Sequence, residues 1–538
     1  MFKFALQYFR MKQLLLLSIL FVFASDAKAV TEYYSLAYRN DPATSVVIGW
    51  SGDLGTVHYG LVDEGTNYTA YTNIHGIDRT GGAHGITRYF SRLTGLTPNS
   101  IYYFVIYDQS GQTSQRFYFR TLSNDSNDPV SFISGGDTRD GFSLFGIYTE
   151  NCPSGNCLEK RRDGNKLVAK IRPDFIAFTG DYVMNQITSN TTAEWSTWLN
   201  DWQLTITPDG RIFPVAFSRG NHEDIFDVHE MFDIPFDEYY TLNIHNDLIK
   251  MYMLNTELDA CTDAAQLSWL TNDLQSNTGS PSDPYWKFAT YHSPTLAIGK
   301  DGTLEVDQMN CWIPLFQQNK VRLVMESDSH TTKWTLPAVR NAAGDDFEIA
   351  AQPEDGVVYI GEGQWGAPHR DVYYTGSSAK PYVKDAETFD NFFFIEVNRD
   401  TTLIRCVKFE NVNSVLDIQN DELGTGLPSN AVLWNPSNGD KIIITNPTAS
   451  IAIKENQKLA TSVYPTNTKS TFTVEFGQTV SNAAVEIYNS LGKLCQKHNV
   501  SNSAKQTILL DENCSGVSYV YIKFEDGLVE SHRIIIGN

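Results

Sequence analysis

The rhythm of apolar and polar positions changes several times along the chain. Leu14 to Phe23 reads LLLLSILFVF, with Lys12 before it and Ala27-Lys28-Ala29 after it. Basic, then apolar, then small residues is the order of a secretory signal peptide, so residues 1–29 are expected to be removed after Ala29. The run is too short to span a bilayer as a stable helix, and no later stretch reaches that length, so no transmembrane segment is expected. Residues 30–122 then read as short strands. Ser45 to Trp50 is one, and Ile101 to Tyr107 is another, placed just after the turn at Pro98. Regular short strands with turn signals between them predict an all-β sandwich.

Residues 123–415 behave differently. Five short apolar strands are predicted, at Val130 to Ser134, Asp174 to Thr179, Ile212 to Ser218, Lys287 to Tyr291 and Val321 to Met325, and each ends in a polar cluster. Helical spacing appears between some of them: Trp195, Trp198, Leu199 and Trp202 share one face, as do Leu267, Leu270 and Leu274. Strands alternating with helices predict an α/β domain whose ligand site lies at the carboxyl ends of its strands. Residues 416–455 are rich in Asn, Gly, Ser and Pro and are expected to be a linker. Residues 456–538 return to strand alternation, as in Thr471 to Phe476, Val485 to Tyr488 and Val520 to Phe524, and predict a small all-β module.

Composition narrows the class without naming it. A length of 538 residues fits three to four domains. With 41% apolar and 19% charged residues, collagen, coiled coil and wholesale disorder are excluded. The net charge of −22 makes the protein as a whole repel nucleic acid and anionic membranes, although a local cationic centre remains open to anions. Seven cysteines without a CxxC suit an oxidising compartment better than a thiolate zinc site. Cys152 and Cys157 bracket a tight loop, Cys495 and Cys514 share one segment, and Cys261 and Cys311 are expected as a third pair, which leaves Cys406 over.

The polar clusters after the five strands carry the chemistry. They are Gly135-Gly136-Asp137-Thr138-Arg139, Gly180-Asp181, Gly220-Asn221-His222-Glu223, Tyr291-His292-Ser293 and Glu326-Ser327-Asp328-Ser329-His330. Taken singly, a Gly-Asp is a turn, a strand-end His is a structural hydrogen-bonder and Asn-His-Glu is a helix cap. Together they deliver oxygen and imidazole donors to one edge of a sheet, a set that suits divalent or trivalent metals. A carboxylate in the middle of such a set can bridge two ions, and a two-metal site activates water against a phosphoryl centre.

This order resembles the calcineurin-like metallophosphoesterases. With a fibronectin III-like β-sandwich in front, it resembles the purple acid phosphatase branch over residues 31–415. The resemblance implies two packed mixed sheets flanked by helices and an acid phosphatase-like hydrolase that cleaves phosphate esters with a metal-activated hydroxide. It implies two metal ions per chain, zinc, manganese or iron. By position, Asp181 bridges them, Asp137 and His330 complete one site, and Asn221, His292 and Asp328 complete the other. His222 stands outside the metals and protonates the leaving oxygen or steadies the phosphoryl group. Three positions depart from the pattern. Met184 stands where the purple enzymes have the tyrosine whose phenolate colours iron. Asp328 replaces a His, with Glu326 and Lys333 flanking it. Arg139 follows Asp137 without the usual His; its planar fork matches two phosphate oxygens, and a salt bridge to Asp140 or Asp181 is the other reading. The C-terminal module, with Val463-Tyr464-Pro465, Val485 to Lys493 and Ser515-Gly516-Val517, resembles the sorting domain of the type IX secretion system.

The expected partners are a phosphorylated small molecule and the secretion machinery, with no nucleic-acid scaffold. The expected location is secreted or cell-surface, by the Sec pathway and through the outer membrane. Two other functions use the same residues: a degenerate member that binds a phosphorylated or carbohydrate ligand without turnover, and a phosphodiesterase or nucleotidase.

Overall fold

The computed structural model describes residues 31–141, 143–144, 147–148, 150–152, 157–184, 191–276, 284–300, 304–373, 380–446, 461–489, 493–511, 514–524 and 529–537. The expected signal peptide lies outside the described residues. Among the described residues no helix is long and apolar enough to cross a membrane. The chain divides into two compact units, Met1–Pro447 and Thr448–Asn538.

Two mixed sheets form the first unit's core. One has ten strands in the order Ile442–Thr445, Thr401–Lys408, Asn391–Val397, Val130–Gly135, Phe175–Phe178, Pro214–Phe217, Glu32–Ala37, Val46–Ser51, Arg88–Leu93 and Arg79–Gly81. The other has seven, Tyr240–Ile244, Ile249–Met253, Trp286–Thr290, Val321–Glu326, Val358–Gly361, Thr332–Thr335 and Val383–Glu387. The neighbouring strands from Val130–Gly135 to Glu32–Ala37 in the first sheet run parallel, as do those from Ile249–Met253 to Val358–Gly361 in the second. Such strands are buried on both faces and read as continuous apolar runs, which is how Phe175–Phe178 and Pro214–Phe217 read. One hydrophobic cluster runs through both sheets and the helix beside the first, with Phe178 packed on Trp198 and Trp202, Phe393 on Trp334, and Met253 and Phe288 in the same cluster. The helix Thr191–Trp202 buries Trp195, Trp198, Leu199 and Trp202, the face its spacing predicts.

The N-terminal β region is less separate than its strand rhythm implies. Its strand Glu32–Ala37 pairs in parallel with Pro214–Phe217, so half of the sandwich continues the ten-stranded sheet. A second, four-stranded sheet (Asn73–His75, Gly55–Gly60, Ile101–Asp108, Phe117–Arg120) forms the other half. The pairing covers what would otherwise be an open sheet edge beside the site.

Arginines from this region grip the segment that follows Gly220-Asn221-His222-Glu223. Arg92 makes a two-pronged bond to Asp233 at 2.7 and 2.7 Å, and Arg79 lies 3.5 Å from the same carboxylate. Arg39 donates to the Asp233 and Ile234 carbonyls at 2.9 and 2.6 Å. Asp233 is fully buried and closes the helix Asp227–Phe232 with φ of 58°. Asn tolerates that left-handed backbone, so Asp233→Asn removes the charge alone. It is expected to destabilise the fold by roughly 2–4 kcal/mol, less than a fully buried pair because the arginines keep solvent access. The midpoint of urea unfolding checks this, and an unchanged midpoint contradicts it.

Residues 416–446 are not the expected linker but part of the first unit. Ile442–Thr445 alternates buried and exposed positions and pairs with Thr401–Lys408. Trp434 packs 4.6 Å from Trp334 and donates to Glu387 at 2.7 Å. Asp421 accepts from Arg172 and Arg211 at 2.9 and 2.8 Å. The Asn- and Gly-rich composition serves turns between these anchors. The second unit is an all-β sheet built on the long strands Thr471–Asn489 and Leu494–Leu509, with Gly516–Phe524 and Val529–Ile536 beside them.

Disulfides join Cys152 to Cys157 and Cys261 to Cys311. Cys406 stays a buried thiol, and Cys495 and Cys514 are free thiols in this structure.

Candidate metal centre

Five strand ends converge. Val130–Gly135, Phe175–Phe178 and Pro214–Phe217 of the first sheet deliver Asp137, Asp181 and Asn221-His222. Trp286–Thr290 and Val321–Glu326 of the second deliver His292 and the pair Asp328 and His330. Four of these residues hold left-handed backbone, Asp137 (φ 54°), Asp181 (57°), Asp328 (70°) and His330 (54°). Such strain persists only where surrounding structure fixes it, and it concentrates at functional sites. Two glycines make the convergence possible. A Cβ on Gly180 would lie 2.8 Å from the His292 ring, and one on Gly363 would lie 1.5 Å from Asp137 Oδ2.

The side chains gather into two groups that share Asp181. In the first, a ligand atom from each of Asp137, Asp181 and His330 lies within 4.8 Å of the others, and all three residues are buried. In the second, His292 Nε2 lies 3.2 Å from Asp181 Oδ1, 3.0 Å from Asn221 Oδ1 and 3.8 Å from Asp328 Oδ1.

The hydrogen bonds around these groups fit a cation. His292 Nδ1 donates to the Thr179 carbonyl at 2.8 Å, and His330 Nδ1 donates to the Pro368 carbonyl at 2.7 Å. In a neutral ring that leaves only a lone pair on Nε2. Each Nε2 therefore faces acceptor oxygens: His330 meets Asp137 Oδ1 at 3.3 Å, and His292 meets Asp181 and Asn221. Asp137 Oδ1 and Asp181 Oδ2 are buried with no hydrogen-bond partner among the described residues. Lone pair against lone pair in a dry pocket is unfavourable until a positive charge sits between them. A carbonyl that fixes the ring's other nitrogen is also the usual support of a ligating histidine. Oxygen and imidazole donors without thiolate suit divalent ions such as zinc and manganese.

The charges pull on one another accordingly. Burial pushes the Asp137 carboxyl up to about 6. Burial opposes ionisation of Asp181 as well, but His292, His222 and Arg139 hold it well below the usual carboxylate range. Burial, with help from Arg139 and Arg370, drives His330 well below the usual histidine value and keeps it neutral. For His292 burial is outweighed by Asp181, Asp137 and Asp328, which hold its pKa well above the usual histidine value. This ring therefore carries positive charge itself, as a proton on Nε2, until an ion takes that place; the neutral, lone-pair form belongs to the ion-bound state.

His222 sits at the edge of this set. Its backbone N–H donates to Asp181 Oδ1 at 3.1 Å, its Nε2 lies 3.8 Å from Asp181 Oδ2, and its buried Nδ1 has no hydrogen-bond partner. Burial lowers its pKa.

Arg139 is not the open phosphate clamp its sequence position implies. Its two terminal nitrogens each donate to Glu150 at 3.1 Å, and one also reaches the Met184 sulfur at 3.1 Å. Only Nε faces Asp181, at 4.0 Å. The expected partners Asp140 and Asp181 are thus secondary to Glu150. Glu326 and Lys333 do not flank the metal groups either. They pair with each other at 2.9 Å in the core, Lys333 also meets Glu362 at 2.7 Å, and the two glutamates accept from Thr295 and Ile298 on the His292 loop. Tyr182 is no substitute phenolate, since its hydroxyl donates to the Ser218 carbonyl at 2.8 Å and its ring stacks among Phe178 and Trp195.

Several further residues position the site; Glu223 closes the Gly-Asn-His-Glu cluster of the sequence without a role assigned to it there, while Arg370 and Lys300 carry no obvious sequence signal. Glu223 accepts from the backbone N–H groups of Asp181, Tyr182 and Gly220 at 3.1, 2.8 and 2.9 Å and so ties two loops together. Arg370 donates to the Asp328 carbonyl at 2.6 Å. Lys300 reaches both Asp328 oxygens at 2.5 Å. A separate surface group, His84, Asp224 and Asp227, is also compact enough for an ion, but His84 already pairs with Asp227 at 2.8 Å.

Comparison with known proteins agrees with this architecture. Residues 31–121 match the model of the purple acid phosphatase N-terminal domain, 156–331 that of the calcineurin-like phosphoesterases, and 462–537 that of the secretion system C-terminal sorting domain. No curated protein matches the chain. Among solved structures, the purple acid phosphatase PPD1 from yellow lupin (Lupinus luteus) seeds is similar with a TM-score of 0.55 at 14% identity, over 77% of this chain and 74% of that one. A structure of PhoD is similar with a TM-score of 0.50 at 10% identity, over 77% and 90%. At these identities the likeness concerns the fold, and the family models carry the rest: the chain holds a calcineurin-like phosphoesterase domain, preceded by a purple acid phosphatase N-terminal domain and followed by a secretion-system C-terminal sorting domain.

Proposed function

We propose that the protein is an exported phosphatase with two metal positions that share Asp181. Asp137 and His330 complete one, and Asn221, His292 and Asp328 complete the other. The observation that carries this reading is the pair of histidines whose Nδ1 atoms are tied to backbone carbonyls while their Nε2 atoms face buried carboxylate oxygens. Bound metal ions supply positive charge for the phosphoryl oxygens and lower the pKa of a water. The chain itself holds the donors rigid through Glu223 and the buried Lys333 network, so little reorganisation accompanies the reaction. His222, beside Asp181 but outside both groups, hands a proton to the leaving oxygen. The sorting domain supports export to the cell surface or medium, and the basic, apolar and small-residue order of residues 1–29 supports the Sec pathway as the first step, before the outer membrane. Hydrolysis of a panel of phosphate mono- and diesters, before and after chelation and with metal restored, tests the reading. Activity that survives complete chelation contradicts it.

The metal is expected to be divalent and the protein colourless. A trivalent iron of the purple kind needs a hard phenolate. Here Met184 offers a neutral thioether that already accepts from Arg139, and Tyr182 is committed to Ser218. The visible spectrum of freshly purified, metal-replete protein checks this, and an iron–phenolate band contradicts it.

A further inference from the structure

The two metal positions differ in one respect that their ligand names do not show. In the first, Asp137 Oδ1 and Asp181 Oδ2 are buried and have no hydrogen-bond partner among the described residues. The nearby Arg139 has its fork on Glu150, and its Nε stands 4.0 Å from Asp181, past hydrogen-bond reach. In the second, the Lys300 ammonium meets both oxygens of Asp328 at 2.5 Å. The other donors there are the neutral Asn221, a histidine, and the Asp181 carboxylate shared with the first position. The only carboxylate that belongs to the second position alone therefore carries a resident counter-ion.

A carboxylate in a charge-assisted, two-oxygen contact with an ammonium has lost much of the charge that attracts a metal. To ligate fully it must give up that contact. Lys300 is able to leave, since its side chain is 39% exposed and ends a flexible stem, whereas Asp328 is 9% exposed and fixed by its strained backbone. A mobile cation opposite a fixed carboxylate is the geometry of a competitor.

We propose that Lys300 makes the two metal positions unequal. The Asp137–Asp181–His330 position fills first, and the Asp181–Asn221–His292–Asp328 position fills second, as Lys300 withdraws from Asp328. Lys300 is thus a positioning residue for the metal content and not a catalytic one. The proposal rests on the two-metal reading above.

Manganese(II) binding to the metal-stripped protein tests it, with bound ion counted by equilibrium dialysis and free ion by electron paramagnetic resonance. Wild type is expected to show two separate dissociation constants. Lys300→Met is expected to tighten the weaker one by roughly ten-fold and to leave the tighter one unchanged within about two-fold. Lys300→Arg keeps a competing cation and is expected to keep the gap. Far-ultraviolet circular dichroism of each variant establishes that the fold is intact. Two equal constants in wild type, or a weaker constant that Lys300→Met does not move, overturns the proposal and leaves the two-metal phosphatase standing. No binding at either position overturns both.

Discussion

Asp181→Ala is expected to abolish phosphatase activity and to strip the protein of metal at both positions. Asp181 is the one carboxylate common to the two groups. Its Oδ1 lies 3.2 Å from His292, and its buried Oδ2 has no hydrogen-bond partner. Removing it takes one anionic donor from each position at once, so charge for the phosphoryl group and the lowered pKa of water are lost together. Asn221→Ala is the milder companion, because it takes a neutral donor from one position only. The change at Asp181 is not expected to unfold the chain, since the loops remain tied through Glu223 to the backbone at Gly220 and Tyr182. Metal analysis and turnover of the purified variant, with circular dichroism as the control for folding, check this. Full turnover with a full metal complement contradicts it.

His222→Ala is expected to keep the metal and slow turnover by roughly a hundred- to ten-thousand-fold. The loss should depend on the substrate. Phenyl phosphate has a poor leaving group and needs the proton; nitrophenyl phosphate has a better one and needs it less. Burial lowers the His222 pKa below the usual value of about 6.5. The acid form is therefore present only at low pH, and the assisted part of the rate falls as pH rises through that lowered value. Equal losses on the two esters would exclude proton donation and leave phosphoryl stabilisation as the role of His222.

The candidate donors at the strand ends are legible because each is signalled locally. A run such as Phe175 to Phe178 followed by Gly180-Asp181 announces both the strand and its polar end within a few residues. The tryptophan face of Thr191–Trp202 was legible for the same reason. What sequence reading missed is held by partners far apart. Glu223 stands in the Gly-Asn-His-Glu motif, but its role is not legible there, because it accepts from a loop some forty residues earlier. Lys300 lies in a Gly-Lys-Asp-Gly sequence that reads like any loop, and only the fold brings its ammonium to Asp328. Arg139 was misread for the converse reason: its fork matches a phosphate, and nothing in the sequence tells that Glu150 has taken it. The composition of residues 416–446 reads as a linker because turns dominate it, while Trp434 and Ile442–Thr445, which dock it, are few.

Anomalous X-ray scattering from crystals soaked in manganese or zinc tests the two-metal centre most directly. The account predicts two peaks, one among Asp137, Asp181 and His330 and one among Asp181, Asn221, His292 and Asp328, with Asp181 between them. Peaks absent from both positions, or confined to the surface group of His84, Asp224 and Asp227, would contradict it.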